Sequence, residues 1–175
     1  MYLTVFATVS ALAAVVTGQC TTMDSVTHTF FGFPDNDPAG PATAYDCGRN
    51  YVAGGSGTYD DPLTFASAPG EFEICEIIYD PYLKKYLRLE DYCEQCTQDW
   101  SNRNNRHIDV WTGSSTVNGE GAQIQCENDL TPASNSQTII RQPGANLPVD
   151  NTVLFADGQC YTSNVYANYN IGDYC

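Results

Sequence analysis

Residues 106–113 read RHIDVWTG. In this stretch His107, Asp109 and Trp111 alternate with Ile108 and Val110, which is the period of a β-strand with one polar and one apolar face. The pattern leaves three roles open for the aspartate. Asp109 can be a catalytic acid, a metal ligand, or a polar residue on the hydrated face of a sheet.

Strand signals outnumber helix signals along the whole chain. Short runs of β-branched, aromatic and alternating residues are separated by clusters of Gly, Pro, Asn and Asp. The runs read THTFFGF, EICEIIYD, KKYLRLED, HIDVWTG, AQIQCE, SQTIIR and NTVLFAD. Because none of them keeps a helical period for more than about two turns, the pattern predicts an all-β barrel or sandwich whose long loops shape a groove.

The N-terminal run and the cysteines indicate the compartment. Residues 1–18 are small or apolar and carry no charged side chain, which predicts a secretory signal peptide followed by a single domain over residues 19–175. All eight cysteines follow this run. An even number in an exported chain predicts disulfides, although eight cysteines allow about 105 pairings, so the connectivity cannot be read. We therefore expect a secreted, extracellular protein.

The net charge of −14 excludes whole classes of partner. Nucleic acids and anionic membranes are bound by basic patches, which so acidic a chain does not favour. No run after residue 18 approaches the roughly 20 apolar residues that a membrane span needs. We expect a monomer that binds neither nucleic acid nor membrane, and we expect no cofactor and no metal.

Two segments carry an aspartate near the end of a predicted strand. They are LEDYCEQC, residues 89–96, and RHIDVWTG, and a polar loop containing DWSNRNN separates them. Such an arrangement can bring Asp91 and Asp109 to the same side of a barrel. Inverting cleavage of a glycosidic bond uses two carboxyl groups about 6.5–9.5 Å apart, one to protonate the leaving oxygen and one to activate water.

Metal binding is the alternative chemistry for the same segments. Cys93 and Cys96 with His107 have zinc-like spacing, but the obvious fourth ligand is another cysteine in an oxidising compartment, where disulfides are favoured. A site formed by His28, His107 and Asp109 is the other arrangement, since the chain has only these two histidines. Histidines at such places are more often plain hydrogen-bonding residues.

Three motifs, taken in order, resemble the double-psi β-barrel families. VTHTFFGFPDNDPAGPATAYDCG, residues 26–48, resembles the opening strand and Gly-rich loop of expansins and rare lipoprotein A proteins. LEDYCEQC resembles a segment shared with barwin and kiwellin, and RHIDVWTG resembles the HFDL strand of expansins and family 45 endoglucanases. The order is also similar to that of 3D-type lytic transglycosylases, and the whole chain looks like small secreted proteins of filamentous fungi. The resemblance implies a disulfide-stapled six-stranded double-psi β-barrel with long loops.

Carried over residue by residue, the resemblance assigns catalysis to two aspartates. Asp109 matches the proton donor of the endoglucanases and the sole catalytic acid of the transglycosylases, and Asp91 matches the other recurring aspartate. The first strand departs from the endoglucanase pattern, because Gly32 stands in the region where those enzymes carry their general base. A lytic reaction with a single acid, or expansin-like binding without cleavage, is compatible with this departure.

A general acid must be protonated when it acts, so Asp109 needs a raised pKa. Burial beside Trp111 and Ile108 would raise this pKa, whereas a cationic Arg106 or His107 would lower it. Flat aromatic rings with a polar edge suit sugar faces, and polar side chains along the groove can add hydrogen bonds. The residues expected to contact substrate are Trp111, Trp100, Tyr92, His107, Arg106 and His28.

Three functions follow from these residues. The first is a secreted protein that acts on a cell-wall polysaccharide (glucan, chitin or peptidoglycan), with Asp109 as general acid and Asp91 assisting it. The second is a non-catalytic barrel that binds or loosens polysaccharide, or an effector that meets a host protein. The third is a structural protein whose acids form ion pairs, and a bond between Asp109 and Arg106 would indicate it.

Overall fold

A computed structural model describes residues 20–175, and the predicted signal peptide, residues 1–18, lies outside them. Six strands form the main sheet: β1 (Thr21–Phe31), β2 (Leu63–Ser67), β3 (Ile77–Asp80), β4 (Lys85–Tyr92), β5 (Arg106–Trp111) and β6 (Gln137–Arg141). They close into a barrel in the order β1-β5-β2-β4-β3-β6, so that every strand has a neighbour on both edges.

Shorter elements surround this barrel. They are the helices α1 (Glu94–Arg103) and α2 (Glu120–Leu130), a ribbon of β7 (Phe155–Ala156) and β8 (Gln159–Cys160), and 3-10 turns at Thr162–Asn164 and Ile171–Asp173. Helix α1 packs against β5 and β2, and α2 packs against β1. The two helices therefore flank the β1 and β5 strands, on which the sequence places most of its candidate site residues.

Two of the six strand pairings in the barrel are parallel. Strand β1 pairs with β5, from Val26 opposite Arg106 to Phe31 opposite Trp111, and β2 pairs with β4. The other four pairings are antiparallel. The predicted six-stranded barrel is confirmed, and a closed mixed sheet with two parallel pairs is consistent with a double-psi-like barrel.

The two faces of β5 differ as its alternating sequence predicts. Ile108 and Val110 are fully buried and belong to the main hydrophobic cluster, together with Val26 and Leu87. Side chains at alternate positions of a strand point to opposite faces, so His107, Asp109 and Trp111 share the other face. The barrel core thus anchors the strand that carries the candidate acid.

Two segments predicted without helix are helical. AQIQCE lies in α2, and the segment DWSNRNN lies largely in α1. The buried residues of α2 are Gln123, Cys126, Glu127 and Leu130, which follow the i, i+3, i+4, i+7 stripe of a helix. Because two of these four are polar, the apolar pattern alone does not reveal the helix.

Two further segments differ from the predicted strands. NTVLFAD contributes only the two residues of β7, with Leu154 and Phe155 turned into the hydrophobic cluster. Strand β2, LTFAS, was not predicted, and all five of its residues are buried. A strand covered on both faces need not alternate between polar and apolar residues, which is why the pattern search passes over it.

The eight cysteines form four disulfides, as the even count predicts. The pairs are Cys20–Cys175, Cys47–Cys75, Cys93–Cys96 and Cys126–Cys160. The zinc-like pair is therefore a disulfide, and within residues 20–175 no three His, Cys, Asp or Glu side chains are grouped to hold a metal. Disulfides persist in oxidising compartments, which supports an extracellular location. Over the same residues, no helix has the length and apolar character to cross a membrane.

Replacing Ile108 by Ala tests the anchoring of β5. Ile108 is fully buried, and removing a buried isoleucine side chain costs about 2–5 kcal/mol of unfolding free energy. Ile74→Ala is the matched control, because Ile74 is 60% exposed and its truncation should leave stability nearly unchanged. Urea unfolding of both variants under non-reducing conditions measures the difference, and equal midpoints would contradict the assignment of Ile108 to the core.

Candidate functional site

The strand registers place the two predicted catalytic aspartates in one row. Thr29 on β1 lies opposite Asp109 on β5, Asp109 lies opposite Ala66 on β2, and Ala66 lies opposite Asp91 on β4. Residues directly opposite each other in paired strands point to the same face. Asp109 and Asp91 thus share a face, with their backbones two strand spacings, or about 10 Å, apart.

Asp109 is partly buried and lies among other acids. Its Oδ1 accepts a hydrogen bond from the Thr29 hydroxyl at 2.7 Å. Burial raises the pKa of Asp109 to about 7, the negative charges of Asp35 and Asp91 raise it further, and the bond from Thr29 opposes the shift. Among the described side chains none forms a salt bridge with Asp109. A carboxyl group in this setting can hold a proton near neutral pH.

Arg106 does not neutralise the aspartate two residues away. Its guanidinium donates to the backbone carbonyl of Asp24. The side chains of residues 106 and 109 also lie on opposite faces of β5, because their separation along the strand is odd. The arrangement that would indicate a purely structural role for Asp109, an ion pair with Arg106, is therefore not formed.

Asp91 is buried and satisfied by the backbone. Its Oδ1 accepts the N–H of Ala44 and the N–H of Tyr92, each at 2.8 Å. Burial raises the pKa of Asp91, the two backbone bonds lower it, and the charge of Glu90 raises it. Asp91 therefore holds the long loop at Ala44 against the end of β4, and its charge is one of those that Asp109 experiences.

His107 connects Asp109 with helix α1. Its Nδ1 lies 2.8 Å from Asp99 Oδ2 on α1, and its Nε2 lies 2.9 Å from Thr29 Oγ1. The ring is buried, and burial lowers the pKa of His107 while the bond to Asp99 and its charge raise it. Both ring nitrogens are occupied by protein partners, which leaves neither of them for a sugar hydroxyl.

Helix α2 brings a further carboxyl group to the site. Glu127 is buried, and its Oε1 accepts the hydroxyl of Thr112 at 3.1 Å. A Cβ placed on Gly32 would lie 2.5 Å from this same Oε1 and 1.9 Å from Gln123 Nε2. The α2 side chains therefore occupy the space beside Gly32, and a larger residue at that position would collide with them.

Asp35 contributes to the electrostatic environment of Glu127. Burial raises the pKa of Glu127 to about 9, and the nearby carboxyl group of Asp35 raises it as well. Asp35 is fixed in turn, since its Oδ1 accepts the N–H of Gly32 at 2.9 Å. A raised pKa means that Glu127 holds its proton more tightly in the folded chain than a free glutamate does.

The remaining residues that are predicted to contact substrate differ in their exposure to solvent. Tyr92, at the end of β4, is 45% exposed, and Trp100 on α1 is partly buried against the core. Trp111 is fully buried and packs edge-on against Phe31 with ring centroids 5.2 Å apart. His28 is fully buried, with its Nε2 3.2 Å from Asp80 Oδ2, so its ring lies inside the barrel rather than along a groove.

A pocket of about 850 Å³ lies at the end of β5, beyond the acidic residues. Trp111, Thr112 and Gly113 line one side, and residues 117–120 and 151–158 line much of the rest. Asp109 does not line this pocket, although Thr112 contributes both to its wall and to the bond with Glu127. The volume of this pocket is within the range of ligand-binding pockets.

Sequence reasoning missed Thr29, Asp35, Asp99 and Glu127. Thr29 was visible as a polar residue in the alternation of THTFFGF, but its pairing with Asp109 depends on a parallel register that spans 80 residues. Asp99 lies in a segment that the sequence predicts to be a loop, and Glu127 lies in one that it predicts to be a strand. A helical reading of residues 94–103 and 120–130 would have brought both of them toward β1 and β5.

Comparison with known proteins gives a family for this chain but no activity. Residues 23–161 match the family described as DDB_G0273701 N-terminal domain. A Dictyostelium discoideum protein, "Uncharacterized protein DDB_G0273701/DDB_G0273221", is 36% identical over 127 residues, which cover 73% of this chain and 54% of that protein. The chain thus spans about half the length of the curated relative that it matches. No solved structure matches the chain.

The substitution Asp35→Asn tests the mutual influence of the acids. It removes one negative charge but keeps the oxygen that accepts the Gly32 N–H, so the loop can remain in place. We expect the pKa of Asp109 to fall below about 7 and that of Glu127 to fall below about 9. Carboxyl ¹³C NMR titration measures both, with the exposed Asp60→Asn as control. Unchanged midpoints in Asp35→Asn would show that the three groups are independent.

The pH dependence of stability tests the burial of Glu127. Because Glu127 binds its proton more tightly in the folded chain than in the unfolded one, protonation stabilises the fold. This contribution is complete below the unfolded value of 4.5 and is lost as the pH rises through about 9. Glu127→Gln keeps an acceptor for Thr112 and should lose less stability between pH 5 and pH 9 than the wild type. Urea unfolding at both pH values measures this, and an equal loss would contradict the raised pKa.

Proposed function

The chain belongs to the DDB_G0273701 N-terminal domain family, and we propose that it is a secreted double-psi-type barrel protein that cleaves a cell-wall polysaccharide with Asp109 as its general acid. The observation that carries this proposal is the state of Asp109. It is a partly buried carboxyl group with a pKa of about 7, held by Thr29, without a salt bridge to any described side chain. Such a group can donate a proton to a leaving oxygen at neutral or mildly acidic pH.

The second carboxyl groups near Asp109 favour a reaction with a single acid. Asp91 is bound to two backbone N–H groups, and Glu127 has a pKa of about 9 and so is protonated at neutral pH. Neither is suited to activate water as a general base. Asp109 would then protonate the glycosidic oxygen as the bond to the sugar carbon breaks. Its carboxylate would afterwards accept the proton of the attacking hydroxyl, which comes from the sugar itself in a lytic reaction and from water in hydrolysis.

Several surfaces can hold the polymer on either side of Asp109. Tyr92 is exposed near Asp91, and Trp100 presents part of its ring on α1. On the other side the pocket beyond Trp111 offers a mainly apolar wall. Stacking on flat rings is how proteins commonly hold the faces of sugars. Glucan, chitin and peptidoglycan are the polymers that such a surface would be tested against.

Binding without cleavage is the second candidate, and Gly32 is the observation that favours it. Where the family 45 endoglucanases that the motifs resemble carry a base, this chain has no side chain, and Gln123 and Glu127 fill the neighbouring space. A protein of this kind would bind or loosen the polymer through the same surface. It would bind equally well with or without an acid at residue 109.

Product release distinguishes the two candidates. Wild type and Asp109→Asn are incubated with insoluble glucan, chitin and peptidoglycan, and soluble fragments are identified by mass spectrometry. We expect release by the wild type from one polymer and a loss of about 10²–10⁴-fold in the variant, the usual contribution of a general acid. Because Asp109 must be protonated, the rate should decline as the pH rises through about 7.

Asp60→Asn changes an exposed acid outside the site and should release fragments at the wild-type rate. Anhydro ends would indicate lytic cleavage, and reducing ends would indicate hydrolysis. No release from any polymer, together with equal retention of wild type and Asp109→Asn on one of them, would contradict cleavage and support binding alone.

A further inference from the structure

Four side chains from three elements form a continuous line of hydrogen bonds that ends on Asp109. Asp99 Oδ2 lies 2.8 Å from His107 Nδ1, His107 Nε2 lies 2.9 Å from Thr29 Oγ1, and Thr29 Oγ1 lies 2.7 Å from Asp109 Oδ1. The three distances are all those of good hydrogen bonds. Asp99 is on α1, His107 and Asp109 are on β5, and Thr29 is on β1, so only the folded chain assembles this line.

From this geometry we infer that Asp99, His107 and Thr29 form a proton path that supplies Asp109. The inference deepens the proposed function, on which it rests for its role in turnover. It makes the three residues positioning residues, since they act through Asp109 and not on a substrate. It also reassigns His107, whose ring was expected to contact sugar.

The path has two orientations that satisfy every hydrogen bond. In one, the protonated Asp99 donates to His107 Nδ1, Nε2–H donates to Thr29, and the Thr29 hydroxyl donates to the Asp109 carboxylate. In the other, all three bonds are reversed, and the proton resides on Asp109. Each bond contains one proton in both orientations, so the two differ only in which side of each bond holds it.

Moving from the first orientation to the second transfers one acidic proton without creating a charge on the intermediate groups. Asp99 gives its proton to Nδ1, Nε2 gives its proton to Thr29 Oγ1, and Thr29 gives its original proton to Asp109. His107 and Thr29 each gain one proton and lose one, so both are neutral before and after. The negative charge moves from Asp109 to Asp99.

The surroundings of Asp99 and Asp109 favour transfer of the proton from Asp99 to Asp109. The Asp99 side chain is 33% exposed, so water can deliver a proton to it and can solvate its carboxylate afterwards. Burial and the negative charges of Asp35 and Asp91 disfavour the ionised form of Asp109. A polymer lying over Asp109 would exclude water from it, and the path would then reach solvent through α1.

Other ionisable groups lie close to His107 and belong to the same electrostatic environment. Glu71, on the loop after β2, accepts the backbone N–H of His107 at 3.1 Å, and its pKa is raised to about 7 by burial. His28, on β1, also acts on His107, because a positive charge on His28 would lower the pKa of His107. His107, Glu71 and His28 therefore titrate together, and the experiment must resolve the signals of individual atoms.

The experiment uses the protein without any substrate, so that it does not depend on the proposed cleavage. Protein labelled with ¹⁵N at histidine and ¹³C at aspartate is titrated by NMR from pH 5 to pH 9. When Asp109 loses its proton, Thr29 turns its hydroxyl toward the carboxylate, and His107 Nε2 loses its donor. We expect the Nε2 chemical shift to change at the same midpoint as the Asp109 carboxyl shift.

Two substitutions at residue 29 form the matched pair. Thr29→Val keeps the shape of the side chain and removes the hydroxyl, and Thr29→Ser keeps the hydroxyl. The response of Nε2 at the Asp109 midpoint should be lost in the valine variant and retained in the serine variant. A wild-type Nε2 that does not respond at the Asp109 midpoint, or a valine variant that still responds, would overturn the path.

A rate measurement separates delivery of the proton from electrostatics once a cleaved polymer is known. The Thr29 hydrogen bond lowers the pKa of Asp109, so removing it leaves more of Asp109 protonated at pH 7. An electrostatic role alone would thus raise the rate of Thr29→Val, whereas a delivery role predicts a lower rate with recovery in Thr29→Ser. If no polymer is cleaved, the cleavage proposal fails, and the NMR result still decides the path.

Discussion

The parallel pairing of β1 with β5 is the constraint on which the site depends. Parallel neighbours cannot be joined by a hairpin, so the chain between Phe31 and Arg106 has to travel around the barrel and return in the same direction. That long connection contains β2, β3, β4 and α1, and the second parallel pair, β2 with β4, lies within it. Closure then leaves no strand edge exposed. One consequence is a row of side chains drawn from four strands that are far apart in sequence.

Buried acids of this chain differ in whether a cation compensates their charge. Glu90 is buried between Arg49 and Arg88, which neutralise its charge. Asp109 and Glu127 lack such a partner among the described side chains, and burial instead raises their pKa values to about 7 and about 9. A buried carboxylate without a cation destabilises the fold, and a neutral carboxyl group costs less. Buried carboxyl groups with raised pKa values are common at functional sites, although they also occur elsewhere.

The sequence predicts the barrel and the strand that carries Asp109, but not the neighbours of this aspartate. Alternation in RHIDVWTG identifies one face of β5, since that strand has a buried apolar side at Ile108 and Val110. The buried faces of β2 and α2 include Thr64, Gln123 and Glu127, so no apolar period marks them. The partners of Asp109 come from pairings between distant segments, and a single sequence contains no measure of those distances.

Three of the hydrogen-bonded groups also have the composition of a nucleophile, a base and an orienting acid. Thr29, His107 and Asp99 stand in the order hydroxyl, imidazole, carboxylate that activates a hydroxyl in acyl-transfer enzymes. Asp109 argues against that use, because its Oδ1 lies 2.7 Å from the same hydroxyl. In its ionised form Asp109 would destabilise the negative charge of a tetrahedral oxyanion formed there, which an oxyanion hole would stabilise. The hydroxyl of Thr29 is instead bonded on both sides, which suits a group that relays a proton and does not attack.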